Sequence, residues 1–294
     1  MPDWRNIKMD ELDRFLLRKQ YSPATAKTYR WILEDFLTCP DFGNLAEIED
    51  IDLYKFIDRP TWEVGGTMRK KALSAIKEYL RYKFDDHHPA LSAHVKVRDG
   101  KVQRTLTKEQ LLELLIFLDQ GGEKGARDAA IVGMAVDTGM RVAELARLKT
   151  VDIHLADGWV QVLAKGGKWR AGILSPDTVN LIQRYMQFRS PVSGEKHFFL
   201  ATQKPKSGHR FSAAGIQSVF KRAGKSLGFK VSPHDLRRTY ASQVTINGAP
   251  QKIGMVGGGW ESSKQYLGYV RILQAELIRP YLPMRGILSV GSDY

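Results

Sequence analysis

Apolar residues in the first part of the chain recur with the period of an α-helix. Tyr29, Ile32, Leu33, Phe36 and Leu37 stand at i, i+3, i+4, i+7 and i+8, the spacing of a single buried helix face. Just ahead, Ser22-Pro23 offers a capping hydroxyl and a proline for the first turn. The same reasoning predicts a helix over Ile51–Asp58 and another from Gly66 to Lys83. On the latter, Met68, Leu73, Ile76 and Leu80 face inward, and Arg69, Lys70, Lys71 and Lys77 outward.

Periodicity then fails. Residues 84–105 contain Pro89, Gly100 and few spaced apolar positions, the character of a linker. It resumes after Thr107-Lys-Glu-Gln, a capping box ahead of a leucine-rich run. Residues 126–150 read as two helices broken near Thr138-Gly139. Next, Gly158–Leu163 and Trp169–Leu174 alternate with period two around Gly166-Gly167, a short β-hairpin. Helices return from Ser175-Pro176 to Phe188, over Ser212–Leu227, Pro233–Asn247 and Pro250–Val256. The expected fold is mainly α with a small β-hairpin (α+β). It has a helical domain over 1–92, a linker over 93–105, a larger mixed domain over 106–282 and a loose tail over 283–294.

Composition narrows the class. With 43% apolar and 26% charged residues the chain can bury a core. No run is long and apolar enough for a membrane span, and the charged N-terminus lacks a signal core. Cys39 is the sole cysteine, so neither an intrachain disulfide nor a cysteine metal cluster can form. These features predict a cytoplasmic protein. The net charge of +13 is lopsided: residues 1–92 carry 15 Lys/Arg against 16 Asp/Glu, and the remainder 30 against 16. A basic excess in one half fits a polyanion, whose counterions are released on binding.

Several side chains carry candidate chemistry. Arg141, in DTGMRVAEL, stands at a helix start with Glu144 one turn on, positioned to orient an arginine. Lys165 and Lys168 share the AKGGKWR turn. In HDLRRTYAS, His234 and Arg237 fall at i and i+3 on one helix face, followed by Arg238. Trp260 follows three glycines, and Tyr266 and Tyr269 follow it in GWESSKQYLGYVR. A phenol is a poor nucleophile unless cations and a base assist it, and these motifs supply both. No histidine spacing suits a metal.

Together these motifs resemble the tyrosine recombinase (phage-integrase-like) family, closest to its two-domain Cre- and Xer-type members. Arg141, Lys165, His234-x-x-Arg237, Trp260 and Tyr269 follow that family's order of catalytic residues. The resemblance favours Lys165 over Lys168, and the Trp-to-Tyr spacing favours Tyr269 over Tyr266. Two departures stand out: GGGW replaces the common LGH, and the position of Trp260 is histidine in most integrases. The resemblance implies a helical core-binding domain with a SAM-like fold and a catalytic domain, closing as a C-shaped clamp on duplex DNA. Arg69, Lys70, Lys71, Lys77 and Arg238 are the DNA-binding candidates. It implies strand cleavage and rejoining through a 3′-phosphotyrosyl link, without metal, ATP or cofactor, for integration, excision or resolution of DNA elements. It further implies a nucleoid-associated protein, monomeric when free and tetrameric on its sites, with residues 270–282 as the helix passed to a neighbour. Nothing ahead of the helical region suggests an additional arm-binding domain. The rival readings are a type IB topoisomerase and a catalytically silent DNA-binding protein of this fold.

Overall fold

The computed structural model describes residues 4–59, 66–95, 104–164, 167–189, 192–203 and 205–270. The chain divides into two compact units, Met1–Gly100 and Lys101–Tyr294.

The first unit is helical: α1 Trp4–Arg18, α2 Pro23–Leu37, α3 Asp50–Asp58 and α4 Gly66–Lys83. α2 starts where the sequence places it, with Ser22 Oγ accepting from Thr25 N at 3.3 Å. The apolar stripe of α2 buries Ile32, Leu33, Phe36 and Leu37 against Phe15 of α1, Phe56 of α3 and Tyr79 of α4. Aromatic edges meet faces there: Phe15–Tyr79 at 5.4 Å and Phe36–Phe56 at 5.3 Å between centroids. On α4, Leu73, Ile76 and Leu80 are buried and Lys70 and Lys71 exposed, as the pattern predicts. Two of its outward cations differ. Arg69 is half-buried and pairs with Asp58 at 2.8 Å. Lys77 is half-buried too, and burial, then Arg81, pushes its ammonium pKa below the ordinary value.

The stretch after α4 is not bare linker over its first part. Pro89–Ser92 form a 3-10 turn, His88 holds the Leu45 carbonyl at 2.9 Å, and Ala90 and Ala93 join the helical core. Small alanines seat the chain close to the helices without the apolar period that would announce it.

The second unit opens with α5 Lys108–Leu118, capped by Thr107 as expected, then α6 Gly122–Thr138 and the single turn α7 Val142–Leu145. The sheet is antiparallel in the order β1 Ile153–His154, β2 Trp159–Leu163, β3 Trp169–Ile173. β1, two residues long, is too short to leave a sequence period. Its partners bury Val160 and Val162. α8 Pro176–Phe188, α9 Ala213–Leu227, α10 Pro233–Ile246, α11 Gln251–Gly258 and α12 Ser263–Val270 complete the described unit. α8, α9 and α10 begin on Ser175, Ser212 and Ser232, each accepting a backbone N–H from its first turn. The expected helix at 270–282 and the tail at 283–294 lie outside the described residues.

α6 is the hub of this unit. It is buried nearly all round, with Ala129, Ala130, Ile131, Met134 and Ala135 in the core. Gly133 lets α8 approach: a Cβ there would meet Thr178 Oγ1 at 2.9 Å. α6 carries a buried ion pair between neighbours. Arg127 grips Asp128 Oδ1 from Nε and Nη2 at 2.9 and 2.7 Å, gives Nη1 to the Leu200 carbonyl, and lies 3.8 Å over the Phe211 ring.

Ile182 of α8 is fully buried against this hub. Ile182→Ala should cost about 2–5 kcal/mol of folding stability. The check is a drop in the urea midpoint of the full chain followed by circular dichroism.

Candidate active site

α6 and α11 each end on a left-handed glycine. Gly139 has φ 59° and Gly259 φ 68°, the conformation that closes a helix with least steric cost. The last carbonyls of a helix have no partner within it and carry the negative end of its dipole. Here those carbonyls are answered by two arginines from elsewhere. Arg170 of β3 donates Nη1 to Gly257 O at 2.6 Å and Nη2 to Thr138 O at 3.1 Å. Arg237 of α10 donates Nη1 to Gly139 O and to Gly258 O, the latter at 2.7 Å. Consecutive carbonyls of one helix end are thus tied to consecutive carbonyls of the other. Arg237 is 2% exposed, and its guanidinium carbon lies 3.6 Å over the Trp260 ring.

The glycine run ahead of Trp260 follows from this packing. A Cβ on Gly257 would lie 2.2 Å from Tyr240 Oη, one on Gly258 1.8 Å from Trp260 Cζ3, and one on Gly259 2.8 Å from Arg170 Nε. The departure from the family's LGH pattern is therefore a close approach of main chain to two aromatic rings and an arginine. Trp260 itself is buried, stacked on Tyr240 at 6.0 Å and met edge-on by Tyr266 at 5.4 Å.

Arg141 is the residue before α7. Glu144 Oε2 accepts its main-chain N–H at 2.9 Å, and Oε1 its Nη1 at 2.8 Å. Since α7 has four residues, it offers no helix dipole of consequence. The guanidinium of Arg141 is the local cation. Glu144 is buried, and its Oε2 also lies 3.6 Å from Arg170 Nη2. Arg141 keeps 36% of its side chain exposed.

His234 is in the first turn of α10. Burial foremost, then the guanidiniums of Arg238 and Arg237, hold its imidazole below the ordinary 6.5; Asp235 opposes and Arg141 adds to the lowering. Arg238, a DNA-binding candidate, is engaged with Asp235 at 2.9 Å.

The two tyrosines separate. Tyr266 is 1% exposed, and its hydroxyl shares a 2.8 Å hydrogen bond with Thr245 Oγ1 and donates to Ala241 O at 3.3 Å. It is a core residue of the α10–α12 packing. Tyr269 lies on α12; its side chain is outside the described residues, as is all of Lys165. Lys168, at the foot of the hairpin turn, is exposed and paired with Glu261.

Arg141, Lys168, Arg170, Trp260 and Gln265 line one cavity of about 610 Å³. A second, of about 840 Å³, is lined by His234 with Arg104, Gln217, Lys221, Lys225 and Lys230. His234 thus lines a different cavity from Arg141 and Trp260, and basic side chains line both. Among the described residues, no group of three or more His, Cys, Asp or Glu could hold a metal ion, and no helix is long and apolar enough to cross a membrane. Arg170 and Tyr240 escaped the sequence reading. The one local signal for Arg170 is its place at the end of AKGGKWR.

Residues 104–276 match the family model described as the phage integrase family. Tyrosine recombinase XerC of Pelobacter propionicus is 28% identical over 256 residues, covering 82% of this chain and 83% of the relative. Tyrosine recombinase XerD of Listeria innocua is 26% identical over 262 residues, covering 83% and 86%. Among solved structures, a lambda integrase dimer bound to a core site superimposes with a TM-score of 0.71 at 18% identity, covering 89% of this chain and 94% of that one. XerH recombinase bound to its difH substrate gives 0.71 at 20% identity, covering 90% and 80%.

Two outcomes follow from this geometry. Gly258→Ala should destabilise by about 1–3 kcal/mol through overpacking against Trp260, whereas Gly268→Ala, with nothing within 4 Å of its Cβ, should not; urea midpoints of the two variants compare them. His234 should titrate below 6.5 in the folded chain, read from its imidazole ring-proton shifts. A depressed folded pKa means the unfolded chain binds that proton more readily. The stability His234 contributes is therefore present above 6.5 and lost as pH falls below it. His234→Gln should flatten that part of the stability–pH curve.

Proposed function

The chain belongs to the phage integrase family, the tyrosine recombinases, and on that premise we propose that it is a site-specific DNA strand transferase working through a 3′-phosphotyrosyl intermediate. The observation that carries the reading is the convergence of cations. Arg237 bridges the carbonyls two residues before Arg141 and two before Trp260, and His234 lies within the field of all three arginines Arg141, Arg237 and Arg238.

In this reading Tyr269 is the nucleophile. Its phenolic oxygen forms a bond to the scissile phosphorus, the P–O5′ bond breaks, the phenolic proton leaves with help from His234, and Lys165 protonates the departing 5′-oxygen. Arg141 and Arg237 hold the non-bridging oxygens while charge builds at phosphorus, where a fixed donor is worth about 2.7–4 kcal/mol. A neutral imidazole suits His234 to accept a proton, and its depressed pKa keeps it neutral. Trp260 buttresses Arg237 through its ring. Rejoining reverses the same steps on a new strand end, and the covalent link conserves the bond energy, so no ATP is needed.

The substrate is duplex DNA, bound through the phosphates by Lys70 and Lys71 of the first unit and by the basic walls of the second, with two sites brought together by four copies. The integration, excision or resolution of DNA elements is the task such chemistry serves. Tyr266 is a poor rival nucleophile, because its buried hydroxyl already engages Thr245 and Ala241.

The test is covalent capture. Incubated with duplexes of randomised core sequence, each nicked near the cleavage position, the chain should accumulate a DNA adduct, in EDTA as in buffer. Tyr269→Phe should form none, while Tyr266→Phe should keep it. Adduct on the Tyr269 variant, or loss of adduct in EDTA restored by magnesium, ends this reading. Strand joining between two duplexes, as against relaxation alone, separates a recombinase from a type IB topoisomerase.

A further inference from the structure

Arg170 is the most deeply buried cation lining the cavity of Arg141, and the strand-transfer chemistry leaves it without a task. Its side chain is 10% exposed, and it lines the same cavity as Arg141 and Trp260. Burial pushes its pKa down, Glu144 acting most strongly in the opposite sense; a guanidinium still remains charged. A buried cation is costly unless its partners answer it. Here they are Gly257 O, Thr138 O and the Glu144 carboxylate, while Nε is buried with no hydrogen-bond partner among the described residues.

These partners form a chain of contacts. Arg170 Nη2 sits 3.6 Å from Glu144 Oε2. That oxygen accepts the main-chain N–H of Arg141, and its twin accepts Arg141 Nη1. The carboxylate is 2% exposed, so water does little to hold it. Without a cation behind it, a buried carboxylate is free to pull the exposed guanidinium of Arg141 fully onto itself, or to rotate away from it. We infer that Arg170 is a positioning residue for strand cleavage, fixing Glu144 so that Arg141 presents its guanidinium to the scissile phosphate.

The fork matters as much as the charge. Two carbonyl acceptors on two helix ends and one carboxylate ion-paired at 3.6 Å meet a single planar group. A lysine in its place keeps the charge but is a point donor that cannot reproduce that planar geometry.

This inference rests on the proposed strand-transfer reading, and the experiment separates the two. DNA captured by the wild-type chain from the randomised library supplies the substrate, and single-turnover adduct formation is measured for wild type, Arg170→Lys, Glu144→Gln and the double variant. Arg170→Lys should slow cleavage by about tenfold or more, with DNA affinity within about twofold of wild type, as loss of an interaction felt in the transition state does. Added to Glu144→Gln it should slow cleavage no further, because both changes break one chain of contacts. A loss of folded protein alone would multiply in both backgrounds. A 5′-phosphorothiolate at the scissile bridge should leave the Arg170→Lys defect in place, since the leaving group is not what Arg170 serves.

Unchanged cleavage in Arg170→Lys, multiplying effects, or rescue by sulfur would each overturn the assignment. If the Arg170 variant does not fold, Glu144→Gln decides: wild-type cleavage in that variant also overturns it. A wild-type chain that captures no DNA overturns the strand-transfer reading itself, and a wild type that cleaves while the cycle is additive removes only the role of Arg170.

Discussion

Two helices that end at the same place create a problem of unanswered carbonyls. The ends of α6 and α11 converge, and each brings oxygens that its own helix cannot satisfy. Two negative dipole ends also repel. Buried guanidiniums from β3 and α10 solve both at once, since a fork of N–H donors can serve two acceptors on different strands of chain. The hairpin, α6, α10 and α11 are thereby held in one arrangement. Arg141 begins two residues beyond one tied carbonyl and Trp260 two beyond another.

That arrangement sets the electrostatics. Arg141, Arg170 and Arg237 lie close together with Glu144 as a buried anion among them. Positive charge from Arg238, then Arg237 and Arg141, lowers His234 beyond the effect of burial. The same positive charge favours an anion in the cavity. Preorganised cations of this kind act without reorganising when charge develops on a bound group. The aromatic layer of Tyr240, Trp260 and Tyr266 closes the site from behind, so the arginine over Trp260 is held between a ring and two carbonyls.

Much of this was legible in the chain, and the exceptions have physical causes. Helix starts at Ser22, Thr107, Ser175 and Ser232 were readable because a capping hydroxyl is local. The order Arg141, His234-x-x-Arg237, Trp260 was readable because the spacing is. Arg170 was not, because its place in AKGGKWR says nothing of the helix end it serves, 87 residues away. The glycines at 257–259 carry no local signal of their role, whereas they are tight contacts made by distant side chains. The chain after α4 read as linker because alanines pack without an apolar period. Tyr266 and Tyr269 were separable by spacing, and the burial of Tyr266 supplies an independent reason.

The hydrogen-bond acceptors of both arginines at the helix ends are main-chain oxygens, which no codon change can delete. Inheritance of this site is therefore lopsided. Drift at positions 138, 139, 257 and 258 can act only through shape, and at 257 and 258 shape admits little beyond hydrogen. Drift at 170 or 237 removes the donors outright and strands two carbonyls at once. On the strand-transfer reading, a lineage that gives up DNA cleavage but keeps the fold is free to lose Arg141 before Arg170, since Arg170 also holds two helix ends together.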